Sequence, residues 1–220
     1  MAEEKNVSGD SSGELAFKVK NLYYQIQSSR EQLAISREVK GHFDKAVKKS
    51  EEKYDAGEGD ISQSDITKLK LGLAGTRNDI IELETEIRIA KLSLGKYLGW
   101  TIAEDEELAE GKIVPVEFEF KDFGEFIANM NNPHNNTDGA RKFVLEKAFY
   151  KVTEARGKME LAKETRKITR ALLVTEVANY DFGIGSSGDL FEALIIYTRV
   201  LKGFYRSVFN YNMAVAELYR

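Results

Sequence analysis

Cysteine is absent from this 220-residue chain, which also has only two prolines and one tryptophan. Without thiols there is no disulfide and no thiol nucleophile, and the chain suits a reducing or an oxidising compartment equally. The two prolines, Pro115 and Pro133, stand near the middle, so the flanking stretches lack the residue that most strongly breaks a helix. No run approaches 18 consecutive apolar residues, so a transmembrane helix is not expected. Met1 to Asp10 carries charges and no apolar centre, so no signal peptide is expected there. Ala2-Glu3-Glu4-Lys5 is compatible with a mature N-terminus behind an added Met1.

Charge of one sign is lacking too. The 32 basic and 36 acidic residues give a net charge of −4, without the basic excess of a nucleic-acid-binding protein. No glycine-rich phosphate loop or nucleophile motif occurs. His42 and His134 lie far apart and have no partner at ligand spacing, so both read as surface histidines. No catalysis, cofactor or metal is therefore expected. The runs Lys48-Lys49, Glu51-Glu52 and Glu104-Asp105-Glu106-Glu107 read as solvated charge.

What the chain does have is a repeat. Glu51-Glu52-Lys53-Tyr54-Asp55-Ala56-Gly57 recurs as Val177-Ala178-Asn179-Tyr180-Asp181-Phe182-Gly183, a shift of 126 residues. Upstream, Tyr23-Tyr24 answers Phe149-Tyr150 and Arg30 answers Arg156; downstream, Asp65-Ile66 answers Asp189-Leu190, with the first loop two residues longer. A repeat of this size is a supersecondary unit that buries its face against its neighbour.

In each copy a periodic segment runs to a glycine-containing break and a second periodic segment follows. The second segments are the more regular. Ile66, Leu69, Leu73, Thr76, Ile80, Leu83, Ile87, Ala90, Leu94 and Tyr97 alternate spacings of three and four, as do Leu190, Leu194, Tyr197, Leu201, Phe204, Val208, Tyr211, Val215 and Leu218. Such sustained seams predict coiled-coil-like packing of long helices. The first segments are looser: Ile26, Leu33, Phe43 and Val47 in one, and in the other Ala148, Val152, Ala155, Met159 and Ala162, after which Arg166 and Thr169 occupy the register.

The expected fold is all-α: two tandem long antiparallel helical hairpins in a coiled-coil-like four-helix arrangement, with a small mixed connector. The divisions are a disordered tail over 1–13, a first hairpin over 14–99, a connector over 100–139 and a second hairpin over 140–220. In the connector, the alternation of Ile113 to Phe120 predicts one short strand and Phe123 to Met130 a short helix. Asn131 to Gly139 reads as a turn-rich link, with Thr137 or Asp138 capping the next helix. Trp100 is expected to anchor the connector against the helix ends.

Gly57, Gly59, Gly183 and Gly185 mark the hairpin turns, since glycine ends helices in the left-handed conformation. Asp65 and Asp189 stand just before the following seams, where a carboxylate favours a helix N-terminus. The plain reading of each break is a helix-hairpin turn, and its recurrence at matched positions marks both for attention.

The pattern Tyr-Asp-x-Gly, a short loop, Asp189-Leu190-Phe191-Glu192-Ala193-Leu194 and then Tyr205 to Leu218 resembles the TolC-like outer-membrane efflux protein family. The resemblance covers residues 15 to 99 and 140 to 219. It implies a periplasmic α-helical tunnel in which three protomers supply twelve helices beneath an outer-membrane β-barrel. It further implies passive export of small molecules or proteins, a homotrimer, a periplasmic adaptor docking at the tips, and an inner-membrane pump. By position, Asp189 and Glu192 match acids lining the closed tunnel mouth, and Tyr180 matches an aromatic that helps hold it shut; Tyr54 and Asp65 are their first-copy counterparts. Gly185 stands where some members carry an arginine latch. The family's barrel strands, two per copy, have no counterpart beyond the single strand candidate here, so contact with the outer membrane falls to segments missing from this chain. The alternative from another class is a soluble coiled-coil scaffold that kept the helices without a pore.

Overall fold

The computed structural model describes residues 12–57, 61–103, 106, 108, 111–130 and 139–220. The helices are α1 (Ser12–Asp55), α2 (Gln63–Leu98), α3 (Phe123–Met130), α4 (Gly139–Phe182) and α5 (Ser187–Leu218). At about 1.5 Å per residue the 44-residue α1 and α4 are rods of about 66 Å. The expected tail falls outside the described residues apart from Ser12 and Gly13, which belong to α1. Gly59, His134, the link from Asn131 and the Thr137 or Asp138 cap also lie outside them. None of the helices is long and apolar enough to cross a membrane among the described residues.

The two hairpins, α1–α2 and α4–α5, lie side by side. Contacts run α2 to α1, α1 to α5 and α5 to α4, and α2 also reaches α5, whereas α2 and α4 share no extensive contact among the described residues. The result is a layer with α1 and α5 inside and α2 and α4 at its two edges. The seams follow the spacing: Ile66, Leu69, Leu73, Leu83, Ala90 and Leu94 of α2 are buried, as are Leu190, Leu194, Tyr197, Leu201, Val208, Tyr211, Val215 and Leu218 of α5. Only Tyr97, at the end of the α2 seam, is exposed.

The broken stripes have a physical cause. The first segments face partly polar partners. Gln27, Ser28, Ser29, Gln32 and Ser36 of α1 are buried; Ser28 Oγ donates to the carbonyl of Tyr205 and Gln32 Nε2 to Ser28 Oγ. On α4, the Arg166 guanidinium lies 4.8 Å from the Phe204 ring centre, a cation–π contact that fills a seam position.

The connector corrects two expectations. Ile113 to Phe120 forms no strand. Its backbone is held by side chains instead of a neighbouring strand. Asn212 Oδ1 accepts from Val116 N at 2.9 Å while Asn212 Nδ2 donates to Val114 O at 2.9 Å, and Arg156 donates to the carbonyls of Phe118 and Phe120. The alternation in the sequence is real, with Phe118 buried and Glu117 and Glu119 exposed, but it records packing on α4 and α5. Phe126, the one buried residue of α3, completes a cluster with Phe118, Phe123 and Phe149. Trp100 does not anchor the connector through its ring, which is 59% exposed. Its backbone does the sealing: Trp100 N donates to Gly95 O at 3.1 Å.

Candidate functional site: the hairpin tips and the free helix edges

At the second tip the chain leaves α4 through Gly183, whose φ of +76° is costly for any residue with a Cβ. Gly183 N donates to Tyr180 O at 3.2 Å and Ile184 N to Asn179 O at 3.0 Å, the paired bonds of a Schellman ending. Gly57 at the end of α1 is left-handed too, with φ +66° and its N–H on Tyr54 O at 3.1 Å.

The start of each following helix is set by a serine that the spacing S-x-x-D signals and that was not singled out above. Ser62 caps α2: its Oγ accepts from Asp65 N at 3.2 Å, and its N–H and hydroxyl donate to Asp65 Oδ2 at 3.1 and 2.6 Å. These bonds, the hydroxyl's first, hold the Asp65 carboxyl below the usual aspartate range. Ser186 does likewise for α5, accepting from Asp189 N at 3.0 Å and donating to Asp189 Oδ2 at 2.7 Å. Asp65 and Asp189 thus stand three residues inside the cap and answer it. Glu192 is one turn beyond Asp189, and both acids are exposed. No third acid or histidine joins them in a metal-sized cluster among the described residues.

The two tip tyrosines differ. Tyr54 is 47% exposed, whereas Tyr180 is buried. Tyr180 lies across Ala46 and Ser50, small residues four apart on one face of α1. Its hydroxyl shares a 2.7 Å hydrogen bond with Ser50 Oγ and donates to Ala46 O at 3.1 Å. Burial pushes the Tyr180 phenol above its ordinary pKa. Lys49 is not merely solvated charge: its ammonium donates to Tyr180 O at 3.1 Å and Asp181 O at 2.9 Å and lies 5.0 Å from the Tyr180 ring centre. A cation on the last carbonyls of α4 is also favoured by the helix dipole. Tyr180, Lys49 and Ser50 therefore tie the second tip to the first hairpin within one chain. Tyr54 makes no matching hydrogen bond among the described residues.

Gly185 has a separate requirement. A Cβ placed there would stand 2.8 Å from Asn179 Cβ and 3.1 Å from Tyr180 N. The loop at Gly185 thus has no room for a side chain. Gly185→Ala is expected to lower stability by about 1–3 kcal/mol through overpacking. Hydrogen exchange should locate the loosening at residues 182–188 and leave the α2 seam unchanged; uniform protection at the wild-type level would contradict the crowding.

A second tyrosine reports on the interface between the hairpins. Tyr197 is almost fully buried and its hydroxyl reaches both oxygens of Glu38. Burial first, then the Glu38 charge, pushes its pKa up to about 12. The folded pKa exceeds the unfolded value of about 10, so the stability it contributes is whole below pH 10 and is lost between pH 10 and about 12. Tyr197→Phe should flatten the alkaline fall of stability in that window, measured by urea unfolding at stepped pH.

The outer helices bear a second apolar stripe each. On α4, Phe143, Tyr150, Leu161, Ile168 and Leu172 are exposed and separated by 7, 11, 7 and 4 residues, each close to whole turns. On α2, Leu71, Ile81, Ile89 and Leu92 are exposed at 58–67% on the side away from the buried seam. In the sequence each stripe is hard to tell from the other apolar residues of its helix, because both sets repeat with the helical period. At the second tip, Phe182 and Ile184 are exposed at 82% and 79%.

No protein-family model and no curated protein sequence matches the chain. Solved structures do. The outer-membrane channel OprN is similar over 94% of this chain and 65% of its own, with a TM-score of 0.71 at 12% identity. A membrane protein from Pseudomonas aeruginosa is similar over 93% of this chain and 65% of its own, with a TM-score of 0.63 at 13% identity. This chain therefore spans about two thirds of the length of each. Two packed helical hairpins, alike in their turns and caps and superimposable on an outer-membrane channel, give the chain a TolC-like fold.

Proposed function

We propose that the chain is the periplasmic helical tunnel of a TolC-like efflux or secretion channel, passing small molecules or proteins without catalysing a reaction. The observation that carries this reading is the pair of apolar stripes on α2 and α4. The four helices form an open layer whose edges are apolar and unpartnered among the described residues, and an exposed apolar surface of that kind marks an interaction site. Three copies, with α4 of one against α2 of the next, close a twelve-helix ring in which every stripe is covered. A cyclic assembly repeats one heterologous contact and needs no other.

In that ring the tips form the mouth. Asp189 and Glu192 of three copies line it with carboxylates, which favour cations and repel anions. Tyr180 and Lys49 hold the second tip on α1, so opening has to break those bonds. The exposed Phe182 and Ile184 meet the hairpin of a periplasmic adaptor, itself coupled to an inner-membrane pump. The protein works in the periplasm beside the outer membrane.

Light scattering coupled to size-exclusion chromatography tests this. A trimer of about 75 kDa, three times 24.9 kDa, supports the tunnel. A monomer favours the soluble coiled-coil scaffold, a reading helped by the lack of any strand among the described residues.

A further inference from the structure

An open cleft of about 770 Å³ lies between α1, α2 and the connector, within the range of roughly 300–1,000 Å³ typical of small-molecule sites. Its apolar walls are Leu33, Ile87, Leu92 and Ile102. Of the acids on it, Glu84 accepts from Arg37 at 2.8 Å, and Glu31 acts on Tyr205, whose phenol burial and then the Glu31 charge push above its ordinary pKa. Arg30 and Lys112 also line the cleft and have no hydrogen-bond or ion-pair partner among the described residues. Two unspent cations beside an apolar groove define the complementary ligand. Its head is anionic and its tail is a hydrocarbon chain.

We propose that this cleft binds a single-chain amphipathic anion, a long-chain carboxylate, with its head between Arg30 and Lys112 and its tail along Leu33, Ile87, Leu92 and Ile102. The site lies away from the hairpin tips; its wall residue Leu92 also belongs to the exposed α2 stripe, so the titration is made at a protein concentration where the chain is monomeric. The head is held by charge-assisted hydrogen bonds, for which a guanidinium suits a carboxylate geometrically. The tail is driven in by removal of apolar surface from water. Neither half suffices alone, so a short carboxylate and a neutral chain of the same length should both bind poorly.

The chain carries its own reporter. Trp100 is its sole tryptophan and stands beside Leu92 and Ile102, two residues of the cleft wall. Dodecanoate, titrated below its micelle concentration, should produce a saturable change in tryptophan fluorescence, and acetate and dodecyl maltoside should not. Arg30→Gln with Lys112→Gln should weaken dodecanoate at least tenfold with its circular dichroism and melting temperature unchanged. Absence of a saturable signal overturns the site, as does equal binding by the double variant or by the maltoside. The sequence places Glu104, Asp105, Glu107 and Glu110 between Ile102 and Gly111, a second possible source of anionic charge. If dodecanoate binds only after these four are changed to Gln, Asn, Gln and Gln, the cations serve the chain's own acids and the proposal fails.

Discussion

Leu201→Ala is expected to cost about 2–5 kcal/mol of stability, and Leu83→Ala about the same. Leu201 is 2% exposed and sits in the core that joins α1 and α5 near Val39, Leu194 and Tyr197. Leu83 is 8% exposed and belongs to the α2 seam on α1. Truncating either removes apolar contact and leaves a cavity that rigid neighbouring rods cannot easily collapse. Glu82 stands next to Leu83 in sequence but faces solvent, where it accepts from Asn78. Glu82→Ala should therefore stay within about 0.5 kcal/mol of wild type. Urea unfolding of the three variants at one protein concentration decides the matter. Equal losses at Leu83 and Glu82 would mean that the buried face of α2 is wrong.

Much of this architecture could be read from spacing because long helices repeat one decision many times. A single substituted position barely disturbs a seam such as Leu190 to Leu218, and the residues at its spacing are buried over most of its length. Isolated decisions are harder. The alternation of Ile113 to Phe120 looks like a strand because periodicity records which side chains turn inward and says nothing of what satisfies the backbone. Here Asn212 and Arg156 do so from residues far along the chain, and no local rule reaches them. The tips show the same division. Gly57 and Gly183 announce helix ends through the conformation only glycine takes readily, and Ser62 and Ser186 were within reach of the capping pattern. The burial of Tyr180 was not, because it needs Ala46 and Ser50 of another helix to leave space for a ring, and Tyr54 has the same local sequence with the opposite fate.

The other large effect is expected at the edges, where Ile81→Glu combined with Ile168→Glu should convert the assembly from trimer to monomer without lowering the melting temperature of the hairpins. Ile81 is 63% exposed and Ile168 is 72% exposed, so neither contributes to the cores within one chain. In a ring both would be buried between copies, and a carboxylate carried into an apolar contact without a partner costs far more than the contact it replaces. Every interface of the ring would carry both substitutions, so the loss is repeated three times. The control is a charge reversal on the same helices but off the stripes, Lys68→Glu with Lys163→Glu, which should leave the mass unchanged. Light scattering supplies the mass and circular dichroism the melting curve. A trimer that survives the edge pair intact would show that α2 and α4 are not its contacts, and the apolar stripes would then belong to a different partner.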